Sequence, residues 1–356
     1  MFFAKMIKNA RIEQGWTLAS LATAMTIDAA IISKVERGLR RATRGQVGQF
    51  IDVLHLSEKE AFSAWLSDKI IEDLKDEPFA IEAFVVAEKE VKYLRKQQQE
   101  EATQLQADFV DLVSQLDSLS AKWTSVKPLE GIQLEKLQEY FNVAYTYDSN
   151  RIEGNTLTLQ ETHLVVNEGL TIGGKSMREH LEAVNHYEAI DYIYDLVARK
   201  VKISERVIKE LHHLVLKGID RDNAGRYRTV PVIISGSAHK PSQPYLLARQ
   251  MEELLEFYDT KKSVLHPVIL AAEMHLRLVT IHPFIDGNGR TSRLLMNLIL
   301  LQNGFTIANL KGSDTARLAY YRALENAQTD DAHNDFYRLI LETCVMSLEA
   351  HLEMIG

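Results

Sequence analysis

Two strongly apolar runs with helical character, residues 271–280 and 290–301, are separated by a segment in which a helix cannot continue. Pro283 restricts the residue before it, so the first run must end at or near His282. Asp286-Gly287-Asn288-Gly289 can take up the positive φ angles of a tight anion-binding nest. Gly304 is placed as the residue just past the end of the second run. A chain carrying such a unit is constrained to build around a helix–loop–helix with a specialised loop. Gly and Pro together number only 24 of 356 residues, too few for a collagen-like or Pro/Gly-rich disordered chain. Most remaining segments also show helical spacing, so the expected class is mainly α.

The loop is chemically dense. A nest followed by a helix N-terminus points backbone N–H groups and a positive dipole at one spot, which suits phosphate. Arg290 and Arg293 add two guanidinium groups matched to phosphate oxygens. Asp286 can hold a hard cation such as Mg²⁺, which keeps waters and borrows phosphate ligands. His282 can take a proton near neutral pH. A base, a carboxylate, a nest and two arginines within twelve residues are the parts for transferring a phosphate-containing group.

Net charge is −8 but unevenly spread: residues 1–56 hold 8 Lys/Arg against 4 Asp/Glu, while the rest is acidic. A basic head on an acidic body points to nucleic acid meeting only the head. In that head Thr17 can cap a helix from Leu18, with Leu21 and Ala22 on its apolar stripe. A turn at 25–28 leads to a second helix, 29–37, ended by Gly38. Helix, tight turn, helix is the frame of a helix-turn-helix. Residues 57–104 are expected to be a helical connector, with Pro78 opening a new helix. Its polar centre, Gln97-Gln98-Gln99-Glu100-Glu101, is a solvated helix or a short coiled coil. Leu105, Phe109, Leu112, Val113, Leu116 and Leu119 then recur at helical spacing. The single cysteine, Cys344, allows no intrachain disulfide and fits a reducing cytoplasm. No apolar run approaches the ~18–20 residues of a membrane span, and the first residues lack a secretory signal's apolar core.

Arg11, Gly15-Trp16-Thr17, Leu21-Ala22 and Ile32-Ser33-Lys34-Val35-Glu36-Arg37-Gly38 resemble the Xre-like helix-turn-helix family over about 55 residues. That resemblance implies a DNA operator as partner, with Ser33 and Lys34 on the recognition helix facing bases and Arg37, Arg40, Arg41 and Arg44 touching phosphate. Residues 282–293 meet every position of HPFx(D/E)GN(G/K)RxxR, the motif of the Fic family. The wider resemblance spans roughly 105–345. It implies a mainly helical domain over 105–350 that moves AMP from ATP to a Ser, Thr or Tyr hydroxyl of a target protein. By that resemblance His282 deprotonates the hydroxyl and Asp286 binds Mg²⁺. Gly287, Asn288, Gly289, Arg290, Thr291, Ser292 and Arg293 bind the nucleotide phosphates, Arg293 at the γ-phosphate. Phe284 points into the core. Gly289 favours nucleotidyl transfer over the phosphotransfer of the lysine-bearing branch. Tyr320 and Tyr321 match a pair that packs around adenosine, and Gln328 replaces the family's usual Asn. Residues 225–240 read as a β-hairpin flap, with Ser235 and Gly236 over the nucleotide.

Thr158-Leu-Gln-Glu161 is a capping box opening a helix. Before it, Ser149, Glu153 and Gly154 match the Fic inhibitory motif (S/T)xxxE(G/N), in a helix of about 140–154. The resemblance implies that Glu153 pairs with Arg293, denies it to the γ-phosphate, and inhibits in cis. Alternatives remain: the same glutamate can serve AMP removal, or the domain can sense nucleotide for a DNA-binding regulator. Both domain types are compatible with a homodimer, and no interface is readable.

Overall fold

The computed structural model describes residues 1–126, 132–330 and 332–355, without the side chains of 94–106 and 132–134. The polar run 97–101 and Leu105 therefore lie outside the described side chains. The regular elements of the described residues are all helices, with no strand. They divide into two compact units, Met1–Gln97 and Gln98–Gly356.

The first unit contains α1 (Phe2–Glu13), α2 (Leu18–Met25), α3 (Ala29–Glu36), α4 (Arg44–Leu54) and α5 (Glu58–Leu74). Phe3, Ile7, Leu21, Ile32, Val35, Val47, Phe50 and Leu54 form its core. Thr17 and Ser20 form a reciprocal capping box on α2, and Asp28 caps α3. Thr26, at φ 55°, ends α2, so the chain turns by 113° into α3. That lies within the angular range of a helix-turn-helix pair. Arg11 and Glu36 make a two-point ion pair at 2.5 and 2.9 Å, and Arg11 also donates to the Trp16 carbonyl. The unit extends beyond residue 56. Asp68 of α5 accepts from the backbone N–H of Phe2 and Phe3, and Trp65 donates to the Ala42 carbonyl. Thus α5, expected in the connector, packs as part of the head. After it α6 (Ala80–Ala107) opens two residues past Pro78.

The second unit comprises α7 (Val110–Ser125), α8 (Ile132–Ile152), α9 (Leu159–Glu168), α10 (Met177–Ala198), α11 (Glu205–Leu216), α12 (Leu247–Lys261), α13 (Pro267–Ile281), α14 (Asn288–Gln302), α15 (Asp314–Thr329) and α16 (Asn334–Glu353). The apolar spacing through 105–119 is interrupted at residues 108–109, where α6 stops and Phe109 turns into the core. The pair α13–α14 forms the centre, with α8, α10, α11, α15 and α16 against it. Twelve of the fifteen residues of α14 are buried, including Asn288, Arg290, Thr291, Ser292, Arg293 and Asn297. Polar groups in that position need internal partners, and these define the site below. Cys344 is buried in α16.

The expected β-hairpin is absent: residues 226–243 are turns and extended chain without a strand. Their hydrogen bonds go elsewhere. Arg228 N–H donates to the Pro283 carbonyl, and its guanidinium binds the carbonyls of His282, Val230 and Ser242. Ala238 N–H donates to Glu325 of α15, and His239 bonds the Thr280 carbonyl. Pro231 and Pro241 have no N–H to donate to a ladder. The flap is thus tied to the helices around it rather than paired with itself.

Candidate active site

The loop between α13 and α14 is fixed from both ends. His282 ends α13 in the left-handed region, at φ 52°. Its Nδ1 lies 3.2 Å from the Val279 carbonyl, which can only accept, so Nδ1 carries the proton and Nε2 is left as a base. Burial lowers the His282 pKa, so the ring is neutral at neutral pH. Asn288 closes the loop on itself, accepting from Phe284 N–H and donating to the Phe284 carbonyl, both at 2.9 Å. Phe284 is fully buried and stacks on His212 at 3.6 Å between centroids. His212 takes a second and third role. Its Nε2 donates to the Asp286 carbonyl and its Nδ1 accepts from Gly225 N–H, each at 2.9 Å. One buried imidazole therefore ties the loop to the start of the flap, with its pKa pushed down to about 4 by burial.

Gly287, at φ 76°, precedes α14 with no side-chain cap, leaving the first-turn N–H groups to face an anion. Asp286 and Arg290 flank that turn. Asp286 accepts from Gly287 N–H at 2.6 Å and from Arg178 of α10 at 2.6 Å. Arg290 lies 3.5 Å from Asp286 and 3.2 Å from Glu182. The neighbouring guanidinium groups and the Gly287 N–H outweigh burial and hold the Asp286 pKa below its ordinary value. Among the described residues no cluster of three or more His, Cys, Asp or Glu could hold a metal by itself. A cation on Asp286 must complete its shell with water and phosphate, which is how Mg²⁺ is usually bound.

Arg293 is the largest fully buried side chain. It donates to Ser149 Oγ at 3.0 Å, to the Ser149 carbonyl at 2.9 Å and to Glu153 Oε1 at 2.7 Å. Tyr320 closes the remaining side: its hydroxyl lies 3.5 Å from Arg293 Nη1 and 3.1 Å from His275 Nε2. Glu153 does not sit in a helix. It is the first residue after α8, in a turn closed by Gly154 at φ 97°. Several contacts hold that end of α8. Asp148 accepts from Gly312 N–H and Asn309, Asn150 donates to the Glu182 carbonyl, and Tyr321 donates to the Ile152 carbonyl at 2.7 Å. A Cβ on Gly289 would come within 2.4 Å of Glu153 Oε1. Any larger residue at 289 would require the Glu153 carboxylate to shift.

The other expected contacts fall differently. The Thr291 hydroxyl donates to the Gly287 carbonyl, and Ser292 is fully buried, so neither side chain reaches an anion in front of the helix. Tyr320 lies beneath Arg293 rather than at the surface. Gln328 donates to Thr280 Oγ1 at 3.1 Å. Ser235 and Gly236 form an exposed turn at the flap tip. In the head, Lys34, Arg37 and Arg40 are exposed. Arg41 instead pairs with Glu72, and Arg44 lies over the Phe62 ring at 5.0 Å. Sequence reasoning assigned no individual role at the site to His212, Arg178, Glu182, Arg228 or His275. For Arg178 and Glu182 their i, i+4 spacing on one helix was the available signal.

Residues 202–300 match the family described as "Fic/DOC family". The chain is 34% identical over 244 residues to a protein adenylyltransferase Fic from Nematostella vectensis, covering 68% of this chain and 56% of that protein. With its counterpart from Drosophila grimshawi it shares 36% over 245 residues, covering 68% and 49%. It thus spans about half the length of the curated relatives it matches. A Fic-domain signalling protein from Bacteroides thetaiotaomicron superposes with a TM-score of 0.61 at 28% identity, over 67% of this chain and 97% of that one. Fic-1 from C. elegans superposes with a TM-score of 0.62 at 24% identity, over 99% and 98%. The mainly helical fold is the Fic-type fold, and residues 202–300 carry the match to the family.

Proposed function

We propose that this chain is a protein adenylyltransferase that moves AMP from ATP to a hydroxyl of a target protein, held in check by Glu153. The observation that carries it is the arrangement around α14: a neutral His282 with a free Nε2, an uncapped helix start, and Arg290 and Arg293 on that helix. In the reaction, the uncapped N–H groups and Arg290 hold the phosphates. His282 Nε2 takes the proton of the target hydroxyl as its oxygen bonds to the α-phosphorus. The bond from that phosphorus to the bridging oxygen breaks, and pyrophosphate leaves. Asp286 would hold Mg²⁺, which supplies positive charge against the phosphate oxygens when bound. The neutral imidazole suits this role, since a base must be unprotonated at the working pH.

Glu153 holds Arg293 through a charge-assisted pair, so the γ-phosphate must displace a carboxylate before it can reach the guanidinium. The target segment would lie along the flap, whose exposed Ile233 and extended chain offer an edge for strand addition. The head is a candidate DNA-binding module, supported by the 113° turn between α2 and α3 and by exposed Lys34, Arg37 and Arg40. The direct test supplies ATP labelled at either the α- or the γ-phosphate to the Glu153→Gly chain with candidate targets. Protein that acquires the α-label alone supports AMP transfer. Protein that acquires only the γ-label overturns it in favour of phosphotransfer.

A further inference from the structure

The carboxylate expected to receive the metal is already engaged by a cation of this chain. Arg178, in the first turn of α10, donates Nη2 to Asp286 Oδ2 at 2.6 Å. Its Nε donates to Glu182 Oε1 at 3.2 Å, and Arg290 Nη1 lies 3.2 Å from that same oxygen. Arg290 Nη2 approaches Asp286 Oδ1 at 3.5 Å, closing a ring of two carboxylates and two guanidiniums. The other Asp286 contact, from Gly287 N–H, is also on Oδ1. Both oxygens of Asp286 therefore have donors, and Oδ2 has Arg178.

The members of the ring are not equally fixed. Arg290 is buried, with its side chain 3% exposed, whereas the Arg178 side chain is 57% exposed. Arg178 can swing into solvent while Arg290 cannot. Glu182 can keep Arg178 nearby after it leaves Asp286. Glu182 Oε2 is held in place by Asn155, two residues after Glu153.

We propose that Arg178 is a positioning residue that sets the divalent-cation requirement of the site, by occupying Asp286 Oδ2 and having to leave when the cation arrives. This assignment rests on the proposed nucleotide-binding role of the loop. A cation on Asp286 must break the Arg178 contact and then remain within a few ångströms of a positive charge. Coulomb repulsion at that range, near the surface, makes each unit of charge removed at 178 worth roughly tenfold in cation affinity at modest salt.

The test uses the full chain with α,β-methylene ATP, which cannot transfer AMP. Its affinity is measured by calorimetry in EDTA and in Mn²⁺ for wild type, Arg178→Lys, Arg178→Gln and Arg178→Glu. The ratio of the two affinities isolates the metal's contribution from any general loss of anion attraction. The account expects Lys to match wild type, Gln to raise the ratio roughly tenfold, and Glu to raise it further. A merely structural role for Arg178 gives no such order by charge. A ratio constant across the four proteins overturns the assignment. So does a constant ratio with weaker binding in EDTA, which makes Arg178 a phosphate ligand instead. Absence of analogue binding in both buffers to the Glu153→Gly chain, in which the competition from Glu153 for Arg293 is removed, overturns the nucleotide site itself, and this assignment with it.

Discussion

Replacing Glu153 by glycine tests the most consequential contact in the molecule. Arg293 is buried to a side-chain exposure of 1%, Glu153 is 30% exposed, and the two meet at 2.7 Å. A hydrogen bond between charged groups in such a setting contributes about 1.5–3 kcal/mol net. If the γ-phosphate of ATP must displace Glu153 from Arg293, removing the carboxylate returns that energy to ATP binding. The expected gain is about 10- to 100-fold in affinity. ADP has no γ-phosphate to place on Arg293 and should gain far less. Calorimetric titration of ATP and ADP into wild type, Glu153→Gln and Glu153→Gly measures the difference directly. Glutamine keeps the size and loses the charge, so it should fall between the other two. The variant should also melt at a lower temperature without nucleotide, because Arg293 then loses its carboxylate partner while keeping Ser149 and Tyr320. Equal gains for ATP and ADP, or no gain for either, would refute the competition between Glu153 and the γ-phosphate.

Tyr321→Phe deletes the hydroxyl bonded to the Ile152 carbonyl at the end of α8. Losing about 0.5–1.5 kcal/mol there should loosen the Glu153 turn and raise ATP affinity a few-fold; a decrease instead would place Tyr321 on the nucleotide. Stability should depend on pH through buried histidines. His212 and His275 are pushed down to about 4 and about 3 by burial, against about 6.5 when unfolded. Their neutral forms therefore contribute fully above pH 6.5, and the contribution falls as pH drops from there through 4, where the unfolded chain binds more protons. Urea unfolding at pH 7.5 and 5.5 should differ by about 3 kcal/mol from these two groups; equal midpoints contradict their neutral burial. In the head, Lys34→Glu with Arg37→Glu should abolish DNA retardation on gels. Arg41→Ala should change unfolding rather than DNA affinity, since Arg41 is paired with Glu72; the opposite pattern removes the recognition-helix assignment.

Much of this architecture could be read from residue order because local rules were strong. Pro283 and Gly287 stop α13 and start α14 with little help from the rest of the fold. Thr17, Thr158 and Gly38 mark helix ends where side chain and backbone agree. Residues 225–240 misled because a β-branched apolar run such as Val230-Pro231-Val232-Ile233-Ile234 looks like a strand wherever it occurs. What decides a strand is a partner for its N–H groups, and here Arg228, Glu325 and the prolines direct the chain elsewhere. The site was legible where chemistry and spacing coincide, in residues 282–293. It was not legible where partners come from distant helices. Arg178 is 108 residues from Asp286, and His212 is 74. Thr291 and Ser292 show the converse: their place in the motif suggested phosphate contact, while helical phase turns their side chains into the core.

The central claim is that His282 and its loop transfer AMP and that Glu153 restrains them. The most direct measurement is incorporation of α-labelled phosphate from ATP into protein, with wild type, Glu153→Gly and Glu153→Gly/His282→Ala assayed side by side. The account predicts weak label with wild type, strong label with the single variant, and none with the double variant. Label that persists without His282, or a single variant no more active than wild type, would contradict it.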